Sequence, residues 1–356
     1  MRGATIIGTG RYVPERVLSN HDLEQMVETS DEWIRERTGI VERRIAAPDQ
    51  AASDLAFLAA QRALAMARIA PTQIDHIIVA TTTPDRILPS CACTLQQKLG
   101  ASGAAAYDVF AACTGFVFGL GIANGLVAGG VADTVLVVGV EVLSRITDLT
   151  DRNTVVLFGD GAGAAVVKAC EPGRGILAVD MHSDGELGQV LEIPAGISRN
   201  PASEATVRGH EHFIRMQGKK LFPFAVRSME DSMRKVMAAA GWSAAELDLC
   251  VPHQANLRII DAVRERLGLP EERVVVNIDR YGNTSSASIP IALDECVRAG
   301  RLGPGDKLGM CAFGGGATWG AAAVAWTPER LAPEAHDTTG GTLGAVARGA
   351  GEGVTR

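Results

Sequence analysis

The sequence predicts an α/β fold in which one unit of strands and helices is used twice, and three observations carry that prediction. The chain of 356 residues is 47% hydrophobic with 40 Gly and only 4% aromatic residues, a composition for closely packed helices and sheets built from Ala, Gly and Val. Short apolar runs of strand length alternate with longer helical stretches. The order of elements that starts near Ile74 starts again near Leu247.

Taken in order, Ala4-Thr5-Ile6-Ile7-Gly8 reads as a first strand, and no secretory leader is expected before it. Thr29-Ser30-Asp31-Glu32 predicts a capping box with Thr29 as N-cap, opening a helix that places Trp33 and Arg37 on one face. An aromatic plane beside a guanidinium can hold a nucleotide base and its phosphate, or Trp33 can pack in the core while Arg37 pairs with an acid. An Ala-rich helix over Ser53 to Arg68, a strand Asp75 to Ala80 and a helix from Ser90 to Leu99 follow. A further strand then leads into Cys113. From Cys113 to Gly129 Cys113 is the sole ionisable side chain, so the helix it heads is expected to be buried all round. A thiol at such a helix start feels the positive end of the peptide dipoles, which favours thiolate, although a free Cys also packs well as a small apolar residue.

Thr134 to Val140 reads as a buried strand, and Thr154 to Val167 closes the first half. Within it Gly161-Ala162-Gly163 resembles part of a dinucleotide loop, but a Val-rich strand follows where that loop needs a helix, so tight backbone packing is the reading. In the second half Leu247 to His253 parallels Ile74 to Ala80, and Leu267-Gly268 ends a helix as Leu99-Gly100 does. A predicted strand Arg273 to Asn277 reaches the turn Asn283-Thr284-Ser285 as the earlier strand reaches Cys113-Thr114-Gly115. Equivalent turns at strand ends can converge on one crevice, bringing Cys113, His253 and Asn283 together. Domains are expected at 1–172 and 173–328, with an aperiodic Gly/Ala/Arg tail over 329–356.

The net charge of −7 argues against a dedicated nucleic-acid binder. The glycines and Asn124 of the apolar stretch after Cys113 favour a core helix over a membrane span. Cysteines stand at Cys91, Cys93, Cys113, Cys170, Cys250, Cys296 and Cys311; the odd number and the lack of metal-ligand spacing point to reduced thiols, a cytoplasmic setting and no metal.

Several stretches resemble β-ketoacyl-acyl carrier protein synthase III: Ala112 to Phe116, Val251 to Asn256, Gly282 to Ser288, Phe313 to Gly320, and Ser30 to Ile34 with Arg37 to Ile40. The resemblance runs in unbroken order over about residues 1 to 327. It implies the five-layered α-β-α-β-α thiolase fold of two similar halves, usually a homodimer, with no cofactor beyond the substrates acyl-CoA and malonyl-acyl carrier protein. It implies Cys113 as the nucleophile that becomes a thioester, with His253 and Asn283 as its partners in a decarboxylating condensation that starts fatty acid synthesis. It further implies an oxyanion hole from the N–H groups of Cys113 and Gly315. Trp33 and Arg152 would face the CoA adenine, with Thr29 and Arg37 nearby, and Asn256 would meet the pantetheine arm. The resemblance places Leu88, Phe313 and Ala317 at the acyl pocket. The small or aliphatic Leu88 and Ala317 then suggest a starter wider than acetyl. Arg258, Lys219 and Lys220 are candidates for docking the acidic carrier protein.

Three other readings share parts of this pattern. A degradative thiolase needs a cysteine where Ala312 stands, and Cys311, one residue earlier, is sent to the opposite face of a strand. A specialised starter ketosynthase or acyltransferase of polyketide assembly would use the same Cys113 and His253. A catalytically silent assembly subunit is disfavoured by the intact Cys113, His253 and Asn283.

Overall fold

The computed structural model describes residues 2–329 and Leu331, so the tail expected over 329–356 lies, apart from Glu329 and Leu331, outside the described residues. The principal elements of the first half are β1 (Gly3–Tyr12), α1 (Asp31–Thr38), α2 (Ala52–Ala67), β2 (His76–Ala80), α3 (Cys91–Leu99), β3 (Ala105–Val109), α4 (Gly115–Ala128), β4 (Thr134–Val142) and β5 (Asp160–Cys170). The second half contributes β6 (Gly175–Ser183), α5 (Gly218–Ala239), β7 (Leu249–Pro252), α6 (Leu257–Leu267), α7 (Ser288–Arg298), β8 (Lys307–Gly314) and β9 (Thr318–Ala325).

One sheet runs β1-β5-β4-β2-β3 and the other β6-β9-β8-β7, so β6, β9, β8 and β7 repeat the order of β1, β5, β4 and β2. Directions match as well: the β4–β2 and β8–β7 pairs are parallel, and the β5–β4 and β9–β8 pairs are antiparallel. Helices α2 and α3 cover the outer face of the first sheet, α4 and α7 lie between the sheets, and α5 with α6 covers the second. The result is the expected α-β-α-β-α sandwich.

Strand alternation divides the core. Along β4, Val135 and Val137 point into the central layer with Phe116, Val117 and Leu120 of α4, while Leu136 and Val138 meet Leu55, Ala59 and Ala63 of α2. Each such large apolar side chain, fully withdrawn from water, contributes about 2 kcal/mol. Met310 and Ala312 of β8 face the central layer, whereas Cys311 faces α5 and α6, so the offset that disfavoured a thiolase is present in three dimensions.

Three local expectations are corrected. The N-cap of α1 is Ser30, not Thr29: its Oγ accepts the Trp33 N–H at 3.1 Å, and Thr29 Oγ1 is buried with no hydrogen-bond partner among the described residues. The run from Thr154 is not strand at its start, because Asp151 caps a short helix Arg152–Val155 and β5 begins only at Asp160; Gly161 and Gly163 then sit within that strand, as the packing reading required. Arg273 to Asn277 is not a strand beyond a single parallel bridge between Val274 and Cys250. The Gln254 side chain occupies its backbone groups instead, donating to Val275 O at 3.0 Å and accepting from Asn277 N at 3.0 Å.

Candidate active site

The 3-10 turn Ala112–Thr114 joins β3 to α4, and the turn Ser285–Ala287 stands in the same relation to α7. Their first residues, Ala112 and Ser285, share an unusual backbone, with φ of 45° and 46°. The turns are matched as expected, but register places Ser286, not Asn283, at the counterpart of Cys113. The two turns can pack together because Gly139 of β4 lacks a side chain: a Cβ there would overlap Ser286 O. Gly314 plays the same part beside the thiol, where a Cβ would stand 2.7 Å from Cys113 N.

Cys113, His253, Asn283, Phe313 and Gly314 line the buried end of a cavity of about 530 Å³. His253 follows β7, its backbone N–H donating to Cys311 O at 2.8 Å. Its Nδ1 lies 2.6 Å from Ser288 Oγ, which also accepts the Gln254 N–H. We assign the Ser288 O–H as donor to Nδ1, which leaves the proton of the neutral ring on Nε2. Burial pushes His253 down to about 3, so the ring is uncharged at neutral pH. Asn283 is held by loop 157–159, donating to Leu157 O at 2.8 Å and accepting from Gly159 N at 3.0 Å. Its Oδ1 accepts the Ser285 N–H at 2.8 Å, which turns the amide so that Nδ2 is free to donate elsewhere.

The thiol departs from expectation. Burial pushes Cys113 up to about 12; a hydrogen bond with the Ser285 side chain opposes the rise and the Glu141 carboxylate adds to it. A helix end supplies roughly half a charge, too little to offset the cost of a desolvated thiolate. The resting group is therefore the thiol.

The exposed end of the cavity carries Trp33, Arg37, Asn256, Arg258 and Lys219. The Arg152 guanidinium lies over the Trp33 ring at 4.2 Å and that of Arg37 at 5.5 Å from the centroid. Asn256 caps α6 by accepting from Arg258 N, and its Nδ2 donates to Arg37 O at 2.9 Å, which ties the two halves at the mouth. Lys220 is exposed and outside the lining, and Gly315 follows Gly314 without lining it. Leu88 and Ala317 do not reach the cavity of a single chain: Leu88 is 84% exposed on the loop before α3, and Ala317 packs in the outer core of the second sheet. Of the walls, Leu191, Met216, Phe222 and Met229 escaped the sequence reading. So did Glu141, for which a charge next to the apolar run Thr134 to Val140 was the available signal.

Residues 107–185 match the family described as 3-Oxoacyl-[acyl-carrier-protein (ACP)] synthase III, and residues 237–326 match its C-terminal part. A β-ketoacyl-[acyl-carrier-protein] synthase III of Desulfitobacterium hafniense (strain DSM 10664 / DCB-2) is 52% identical over 322 residues, covering 90% of this chain and 97% of the relative. The chain belongs to the β-ketoacyl-acyl carrier protein synthase III family. Among solved structures, the 3-oxoacyl-[acyl-carrier-protein] synthase III of Aquifex aeolicus VF5 is 48% identical with a TM-score of 0.84, covering 91% of this chain and 100% of that one. The priming β-ketosynthase of the R1128 polyketide biosynthetic pathway is 37% identical with a TM-score of 0.86, covering 93% and 98%. The synthase III family is one of acyltransferases, and this chain is an enzyme of that class.

Proposed function

We propose that the chain condenses an acyl-CoA starter with malonyl-acyl carrier protein to give a 3-oxoacyl product. The observation that carries this reading is the shared buried end of the cavity, where Cys113 meets two neutral donors whose other polar atoms are already engaged. In the first step the Cys113 sulfur bonds to the thioester carbonyl carbon and CoA leaves as its thiol. In the second, malonyl-acyl carrier protein loses carbon dioxide, and negative charge develops on its thioester oxygen. Nε2–H of His253 and Nδ2–H of Asn283 stabilise that enolate, whose carbon then bonds to the acyl carbon of the Cys113 thioester as the carbon–sulfur bond breaks and the Cys113 sulfur leaves to be reprotonated. Both donors are fixed and uncharged, so no reorganisation is needed as the charge appears. The amides of Cys113 and Gly315 are proposed as the oxyanion hole for acyl transfer.

Trp33 and Arg152 would part to admit the adenine, with Arg37 and Thr29 at its edge and Asn256 on the pantetheine path. Arg258 and Lys219 at the mouth, with Lys220 beyond, supply positive charge for an acidic carrier protein. The two units divide near 172/173, between β5 and β6. The edge of β3, unpaired among the described residues and beside exposed Ile87, Leu88 and Phe110, suits a second copy of the chain, and free thiols suit a cytoplasmic setting. The structural likeness to a priming ketosynthase keeps a polyketide starter role as the second reading.

The test is to incubate the protein with a panel of acyl-CoAs, read the intact mass, then add malonyl-acyl carrier protein and follow carbon dioxide. A mass gain on Cys113 followed by decarboxylation supports condensation. Acylation without decarboxylation favours the acyltransferase reading, and no acylation defeats both.

A further inference from the structure

Glu141 is fully buried near the end of β4, and no step described above uses it. Its two carboxylate oxygens serve different halves of the molecule. Oε2 accepts from the hydroxyls of Thr83 at 2.7 Å, Thr82 at 3.0 Å and Thr81 at 3.4 Å, and from Thr82 N at 3.1 Å, all on the segment that follows β2. The Thr83 hydroxyl accepts Val142 N–H at 2.8 Å and that of Thr81 accepts Thr83 N–H at 3.0 Å, so their own protons are free to go to the carboxylate. Oε1 reaches across to the turn before α7, where Ser285 Oγ donates at 3.1 Å. Ser286 Oγ lies at the same distance from Oε1 but 2.8 Å from Ala80 O, so its single proton is divided between two acceptors and Ser285 is the stronger tie. Gly139 and Glu141 lie two residues apart on one face of β4, the first admitting the Ser286 backbone and the second anchoring Ser285.

We infer that Glu141 is a positioning residue: through Ser285 it aims the amide of Asn283 at the enolate oxygen. The inference rests on the reading of Asn283 as a donor to that oxygen. The Asn283 backbone is held by loop 157–159, which leaves the side chain to turn about its own bonds. What sets the amide plane is the hydrogen bond from Ser285 N–H to Oδ1 at 2.8 Å. With the amide reversed, Nδ2 would face that N–H, donor against donor, so the same contact decides which end of the amide is left to donate.

The direction of the Ser285 N–H depends in turn on a backbone at φ 46°, uncommon for a residue with a side chain. Such a conformation persists where its surroundings over-determine it. Glu141 does so here, because its other oxygen is already bound to Thr81 to Thr83 in the opposite half. Without that strut the Ser285 N–H can shift and the amide turns with it, away from the point where the charge develops.

The experiment uses full-length protein, acylated to completion and checked by intact mass, so that carbon dioxide release from malonyl-acyl carrier protein is read in a single turnover apart from the acylation rate. Ser285→Ala removes the hydroxyl and keeps the N–H, and Ala112 shows that alanine takes this backbone conformation. Glu141→Gln keeps the shape of the side chain but sets an N–H₂ among groups that donate. Each should slow carbon dioxide release about 10-fold, less than removal of the Asn283 donor itself. In double variants either change should add little to Asn283→Ala, which has no amide left to aim, and should add in full to His253→Ala. A general weakening of the fold would not tell the two donors apart. Parent-like carbon dioxide release by acylated Ser285→Ala, losses that add in full to Asn283→Ala, or equal coupling to both donors would overturn the inference, and Ser285→Ala decides it alone where Glu141→Gln does not fold. An Asn283→Ala protein that decarboxylates at the parent rate would instead defeat the reading of Asn283 as a donor, and the inference with it.

Discussion

In the proposed reaction Cys113, His253 and Asn283 divide the work by chemistry, so their variants should separate the half-reactions. Cys113→Ser should give no stable acyl-enzyme mass, whereas His253→Ala and Asn283→Asp should still acylate. Decarboxylation should fall about 10²–10³-fold in each of the latter two, the usual loss for one donor to a developing oxyanion. Acyl-enzyme that decarboxylates malonyl-acyl carrier protein normally without His253 would contradict the assigned role. The thiol makes a second prediction. Because Cys113 lies at about 12, its alkylation by iodoacetamide should keep rising above pH 9, while a dipole-activated thiol would level off near neutrality. His253 links the site to stability. Its value falls from 6.5 in the open chain to about 3 when buried, so between those values the unfolded state binds the extra proton. Stability against urea should therefore decline as pH drops from about 6.5 towards 3, and His253→Gln should decline less steeply over that window.

At the scale of elements, the sequence revealed what hydrophobic period determines. The apolar stretch behind Cys113 is α4, and the alternating strands fall where their patterns place them. It misplaced elements whose hydrogen bonds go to distant side chains. Arg273 to Asn277 has strand-like residues, yet its partner is the Gln254 amide rather than a full neighbouring strand. No local pattern encodes that. Gln254→Ala would leave Val275 O and Asn277 N buried without those partners, at about 1–3 kcal/mol each. A urea midpoint lowered accordingly, with weakened condensation because His253 is the adjacent residue, is the expected outcome; an unchanged midpoint would show that the segment needs no such support.

Across the whole molecule, the repeat was legible because both halves spell the same order of strands and helices, and convergence of Cys113, His253 and Asn283 followed from it. Glu141 was not legible, since its partners Thr83 and Ser285 come from opposite halves and meet only when Gly139 lets the Ser286 turn rest on β4. Leu88, which family resemblance assigns to the acyl pocket, does not reach the cavity within one chain, where its loop faces outward. That loop adjoins the free edge of β3, tied to it by Cys91 N and Ala92 N donating to Asp108 at 2.8 Å. Ile87, Leu88 and Phe110 are there 76%, 84% and 70% exposed, an apolar cluster beside backbone groups that have no strand partner on that side among the described residues. A second copy placed edge to edge would satisfy both deficits at once. The parent protein should therefore run as a dimer by light scattering at micromolar concentration. Phe110→Asp, which places a charge on that edge while leaving the buried end of the cavity untouched, should shift it to a monomer. A parent protein that is monomeric under those conditions, or a Phe110→Asp dimer as tight as the parent, would rule out this edge as the subunit contact.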